Sequence, residues 1–241
     1  MENINQCIII GGGLSIQEGI LLGLKEQIKN KFVILVNYAF DTFEGTFLTF
    51  TDKIFYLPFS ARTKEEQSKN PDIYESLKSL PLIIGNDSQK IEPKYLLPNT
   101  IIVKQSGSYH REKCLVNGFY VGGLSGIFAF SLASYLMNYT GEIFLCGYDW
   151  NKGKTTKIEQ NIHYYGDKIK HRGSGYVGYY NGHNPDNYFK KFLEPNLKIY
   201  NVSTNSNIQT FEKINYEHMF NLMNNQEINQ EELRNKIKNK L

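Results

Sequence analysis

The chain has 241 residues, 41% hydrophobic and 21% charged, with a formal net charge of +3. That composition excludes general disorder, and the length suffices for the core of one large α/β domain, the simpler expectation over two small ones. So slight a positive excess, with Lys and Arg scattered among acids, leaves no basic stripe for a nucleic-acid backbone.

Residues 7–10 read as a short buried strand, and Ile16, Ile20, Leu24 and Ile28 follow at helical spacing over residues 15–29. Residues 32–36, "FVILV", form a β-branched run ending at Asn37, so the chain opens as β-α-β, the unit of a parallel sheet. Further strands are expected at 46–50, 53–57, 82–85, 100–104, 142–147 and 197–202, and helices at 63–79, 122–138, 185–193 and 206–213. This alternation predicts a single-domain α/β fold, a doubly wound, mostly parallel, Rossmann-like sheet with its ligand beyond the carboxyl ends of the strands.

Residues 151–184 break the pattern, with many Gly, Lys, Tyr and His and no apolar period, and read as an inserted lid loop within a domain of residues 1–224. Residues 225–241 are polar, with Ile228, Leu233, Ile237 and Leu241 near helical spacing, and are expected to form a helical tail, docked or partner-seeking. Cys7, Cys114 and Cys146 are odd in number without a C-x-x-C spacing and are expected to be reduced core thiols. No signal peptide is apparent, and the apolar run from Gly122 to Met137 falls short of the roughly 20 residues a membrane span needs. A cytoplasmic protein is therefore expected, without a membrane span.

"IIIGGGLSIQEGI", residues 8–20, sets three glycines between the first strand and a helix. Backbone amides and the positive helix end then point at one place, which suits an anion. Ser15 and Glu18 have capping-box spacing. A turn with no ligand, capped by Ser15, remains the alternative. The dinucleotide fingerprint is broken, since Ile16 takes the third glycine position after Gly11 and Gly13 and Asn37 stands where an acid would hold an NAD ribose. A P-loop is broken too, because Ile20 follows Gly19 where a lysine is required. What remains is a nucleotide held by Gly11, Gly12, Gly13 and Ser15 and read by the Asn37 amide, unless Asn37 merely satisfies local backbone groups.

A second glycine-rich helix start, "GGLSGIFAF", carries Gly122, Gly123, Ser125 and Gly126, with Ser125 either a cap or a donor to a ligand. The strand "EIFLCG" leads to Tyr148, Asp149 and Trp150, so Gly147 and Asp149 reach the ligand edge. In "YYNGHNPDN", His183 precedes a helix start, where an imidazole can take a proton from an attacking hydroxyl. Tyrosine hydroxyls can donate to a departing phosphate. A surface histidine beside stacked tyrosines is the competing interpretation. His163 and His171 lack the further ligands of a zinc site, so no metal is expected.

In order and spacing, "IIIGGGLSIQEGI", "ILVNYAF", "GGLSGIFAFSLASYLMNYTGEIFLCGYDW" and "GYYNGHNPDNYFKKFLEPNLKIYNVS" resemble the bacterial sialyltransferases of lipooligosaccharide. The wider group includes flagellin-modifying motility accessory proteins, pterin diphosphokinases and phage proteins. The resemblance spans roughly residues 7–210. It implies a CMP-sugar donor and inverting, metal-independent transfer to a glycan hydroxyl. Gly11 to Ser15 would hold phosphate or ribose, Asn37 and Ser125 the cytidine and phosphate, and His183 would be the general base. The glycine turn of that group has Asn and Pro where Gly12 and Leu14 stand, and Asn151 replaces the first of its two phosphate-binding tyrosines. Tyr164 or Tyr165 would serve as the second.

The function expected is thus a glycosyltransferase-like enzyme with no cofactor beyond its nucleotide-sugar substrate. Two alternatives stay open: a pterin or nucleotide diphosphokinase, which would need Mg²⁺ and a carboxylate cluster for which Asp41, Asp52 and Asp149 are candidates, and a non-catalytic nucleotide-binding protein. A homo-oligomer is compatible with either.

Overall fold

The computed structural model describes residues 4–69, 72–87, 91–111, 113–150, 163–164 and 184–241. In chain order the elements are β1 (Gln6–Ile10), α1 (Ile16–Leu21), α2 (Leu24–Gln27), β2 (Val33–Val36), β3 (Phe47–Thr49), α3 (Lys64–Lys69) and α4 (Tyr74–Lys78). They continue with β4 (Ile83–Asn86), β5 (Thr100–Val103), β6 (Gln105–Ser106), α5 (Cys114–Asn117), β7 (Phe119–Tyr120), α6 (Ser125–Leu136) and β8 (Gly141–Cys146). The last are α7 (Asp186–Phe189), β9 (Leu197–Val202), β10 (Glu212–Lys213), α8 (Tyr216–Leu222) and α9 (Gln230–Lys240).

Cys7 and Ile9 of β1 pack into one apolar cluster while Ile8 and Ile10 pack into another. The same alternation separates Ile34 and Val36 from Val33 and Leu35, and Ile143 and Leu145 from Phe144 and Cys146. Strands buried on both faces need unbroken apolar runs, and that need accounts for these sequences. Together they build an eight-stranded sheet in the order β10-β9-β8-β1-β2-β3-β4-β5, each neighbouring pair parallel. Helices α6 and α7 cover one face, and α1, α2, α4 and α8 cover the other. The fold is doubly wound and Rossmann-like, as expected. The chain runs outward from β1 to β5 and then returns to pair β8 with the other side of β1, so the strand order reverses between β1 and β8. Beyond the carboxyl ends of those two strands lies the crevice in which ligands of such sheets collect.

Several sequence expectations need correction. Residues 53–57 are not a strand: Lys53–Phe55 form a 3-10 turn. Consecutive residues of a strand face opposite ways, whereas the turn lets both Phe55 and Tyr56 pack on Phe50, each with ring centroids 4.7 Å from it. Residues 206–213 are not a helix, because the buried Asp186 carboxylate accepts from the Gln209 and Thr210 amides, at 2.9 and 2.7 Å. Glu212–Lys213 then add to the sheet beside Tyr200 and Asn201. The helix over 15–29 breaks at Gly23, whose φ is +84°, and the one over 63–79 is two helices. Helix α8 was not among the expected helices; Asn215 caps it, its side chain accepting from the His218 amide. The tail is docked: Leu233 and Ile237 of α9 enter the main core, and Arg234 donates to the carbonyls of Thr46 and Gly45. All three cysteines are buried free thiols, and no helix among the described residues is long and apolar enough to cross a membrane.

Candidate functional site

The segments leaving β1 and β8 are stitched together residue by residue. The Gly11 amide donates to the Cys146 carbonyl at 2.7 Å and the Gly13 amide to the Gly147 carbonyl at 2.9 Å. The Ser15 amide donates to Asp149 Oδ2 at 2.9 Å, and its hydroxyl to Asp149 Oδ1. The anion at the head of α1 is therefore the chain's own Asp149, nine-tenths buried. This use of Ser15 also replaces the expected capping box, as its side chain makes no cap bond within α1. Gly13 is required by this arrangement, since a Cβ there would stand 2.6 Å from the Asp149 carboxylate. Gly147 adopts φ +73°, a conformation that side-chain-bearing residues avoid.

Gly12 occupies the outer side of the turn, and its carbonyl accepts from the Tyr164 amide at 3.0 Å. The Tyr164 ring meets Phe43 edge-on, with centroids 6.0 Å apart. Burial pushes its phenol well above the ordinary range, against a lesser opposing pull from a hydrogen bond to Thr42. Tyr164 is thus a protonated strut closing over the glycine turn.

Asn37 follows the last residue of β2 with φ +54°, in the left-handed region that Asn enters more readily than other side-chain-bearing residues. Its Oδ1 is buried without a hydrogen-bond partner among the described residues. An orphaned buried acceptor costs about 1–3 kcal/mol, and a left-handed non-glycine residue adds to that. Such costs concentrate at functional sites.

At the second glycine segment, Ser125 is 7% exposed. Its Oγ accepts from the Thr51 amide at 3.1 Å and lies 3.0 Å from the Thr51 hydroxyl. Ser125 therefore ties the chain leaving β3 to the start of α6. Gly122 and Gly123 have φ +55° and +75° and bring the chain round into α6, while Gly123 is exposed. Between the two glycine segments stands Tyr148, whose hydroxyl donates to the Gly126 carbonyl at 2.9 Å. Behind Asp149, Tyr216 packs its ring where a Cβ on Gly19 would fall, at 2.5 Å.

The carboxyl edge thus gathers Gly11, Gly12, Gly13, Ser15, Asn37, Gly123, Ser125, Gly126, Gly147, Asp149 and Tyr164 along the ends of β1, β2 and β8 and the head of α6. His183, Tyr165, Asn151 and nearly all of the 151–184 segment lie outside the described residues. Sequence reasoning placed Tyr148 at the ligand edge without giving it a role, and it missed Thr51, because nothing in the sequence joins Thr51 to Ser125. A cavity of about 750 Å³ lies at the opposite end of the sheet, between Ile4 and the α9 residues Glu232 and Lys236, away from the predicted site residues. Neither a protein-family model nor a curated protein matches the chain.

Proposed function

We propose that the protein binds a nucleotide-activated sugar of the CMP type at this crevice and transfers the sugar to an acceptor hydroxyl of a glycan, without a metal. The observation that carries the reading is Asn37: a left-handed residue holding a buried oxygen, unpaired among the described residues, at the ligand edge of the sheet. That oxygen would accept from a ligand donor, a base amino group or a ribose hydroxyl. Because Asp149 already fills the head of α1, the phosphate is assigned to Gly123, Ser125 and Gly126, where the longer helix α6 begins and Gly123 is exposed. The glycine turn then contributes at Gly12, and Gly11, Gly13, Ser15, Gly147 and Asp149 hold its shape. In the transfer, the bond from the anomeric carbon to the phosphate oxygen breaks, and one from that carbon to the acceptor oxygen forms. His183 takes the acceptor proton and CMP departs. With Tyr164 serving as a strut, Tyr165 is the tyrosine assigned to the departing phosphate.

The test is melting temperature with CMP, CDP, ATP and NAD in the absence of divalent metal, because a ligand of the folded state raises its apparent stability. Cytidine nucleotides should stabilise and the others should not. Asn37→Gly relieves both backbone strain and the orphaned oxygen, so it should raise the stability of the free protein while weakening CMP binding about tenfold. His183→Ala should keep the CMP shift and abolish transfer. No stabilisation of the wild type by any cytidine nucleotide would overturn the reading.

A further inference from the structure

Tyr148 occupies the place where the two glycine-led segments approach each other. A Cβ on Gly11 would stand 2.8 Å from the Gly147 carbonyl and 3.1 Å from the Tyr148 ring, and a Cβ on Gly126 would stand 3.2 Å from the same ring. Neither glycine has the positive φ that would demand it, and glycine inside a helix costs about 1 kcal/mol relative to alanine. What Gly11 and Gly126 share is an omitted side chain against Tyr148. The phenol donates to the Gly126 carbonyl at 2.9 Å, and burial raises its pKa so that it stays a donor. The residue is anchored from behind as well. Its carbonyl accepts from Ser206 Oγ at 2.7 Å and Asn201 Nδ2 at 3.2 Å.

We propose that Tyr148 is a positioning residue whose ring, held between Gly11 and Gly126, sets the spacing of the glycine turn and the first turn of α6, and with it the width of the nucleotide crevice. The spacing follows from the contacts alone, while its link to a nucleotide rests on the function proposed above. A shorter side chain lets the two segments close on each other, whereas phenylalanine keeps the spacer and removes only the bond to Gly126.

The test compares full-length wild type, Tyr148→Phe and Tyr148→Leu by calorimetric titration with CMP and by the backbone amide NMR signals of residues 11–15 and 125–127. Tyr148→Phe should bind CMP within about threefold of wild type and shift amides near Gly126. Tyr148→Leu should weaken CMP about tenfold or more and move amides in both segments. A methyl added by Gly126→Ala in the Tyr148→Leu background should recover part of that affinity, a rescue that general destabilisation does not produce. Amide changes confined to one segment, or undiminished CMP affinity in Tyr148→Leu, would overturn the proposal. If the wild type ignores CMP but both segments still move in Tyr148→Leu, the spacer stands and the nucleotide reading falls. Should Tyr148→Leu fail to fold, Gly126→Ala in the wild type crowds the ring from the other side, and its failure to move amides at residues 11–15 would overturn the spacer.

Discussion

Asp149 accepts hydrogen bonds from both the amide and the hydroxyl of Ser15, a residue 134 positions earlier in the chain. The segment leaving β8 thereby supplies the negative charge that the first helix head attracts, and the glycine turn after β1 becomes part of the β1–β8 seam. Bonds to a charged acceptor contribute about 1.5–3 kcal/mol each. Asp149→Ala should lower the free energy of urea unfolding by about 3 kcal/mol, and Asp149→Asn by less. A loss under about 1 kcal/mol for Asp149→Ala would show the seam to be held elsewhere.

Gly13→Ala places a methyl 2.6 Å from the Asp149 carboxylate and 2.7 Å from the Gly147 carbonyl. Overpacking of this kind costs about 1–3 kcal/mol. Gly107→Ala is the matched control, since nothing lies within 4 Å of its Cβ position, and its unfolding midpoint should stay at the wild-type value. Equal effects of the two substitutions would refute the account of the turn.

The tail contributes to the domain core. Ile237 is fully buried, and Lys240 donates to the Tyr135 and Leu136 carbonyls at the end of α6, at 3.1 and 3.2 Å. Ile237→Ala should cost about 2–5 kcal/mol, the range for truncating a buried isoleucine. Removal of residues 225–241 should unfold the whole domain cooperatively, as read by circular dichroism, and a truncated chain with wild-type stability would contradict it.

Stability should fall in alkali. Burial pushes the Tyr38 phenol up to about 12 and raises those of Tyr148 and Tyr216 as well. A phenol with a raised folded-state pKa contributes its full stabilisation below its ordinary value of 10. Above that pH the unfolded chain releases the proton while the folded chain retains it, so stability declines by about 1.4 kcal/mol per pH unit for each such group. For Tyr38 the decline runs from pH 10 to about 12. Tyrosinate absorbance should therefore rise together with unfolding. Ionisation of every tyrosine near pH 10 with the fold intact would refute this.

Much of the sheet was legible from sequence because strands covered on both faces must be apolar throughout. The cores of β1, β2 and β8 are of that kind, whereas β4 ends in Asn86 and β9 carries an exposed Lys198 and a buried Asn201 within its apolar run. Residues 53–57 and 206–213 misled because a local apolar period cannot report a distant partner, which for the second stretch is the carboxylate of Asp186. The candidate site was legible as a set of segments, since strand ends and glycine turns announce the carboxyl edge.

By itself, then, the sequence determined a parallel α/β sheet and the placing of Gly11–Ser15, Asn37, Gly123–Gly126 and Gly147–Asp149 at one edge of it, since apolar runs and glycine turns are local signals. Only the tertiary structure decided that Asp149 fills the head of α1, that Thr51 holds Ser125, that Tyr148 separates the two glycine segments, and that Asn37 keeps a buried oxygen unpaired among the described residues. Those relations join residues far apart in the chain, and hydrogen bonds and close contacts of that kind leave no periodic trace along it.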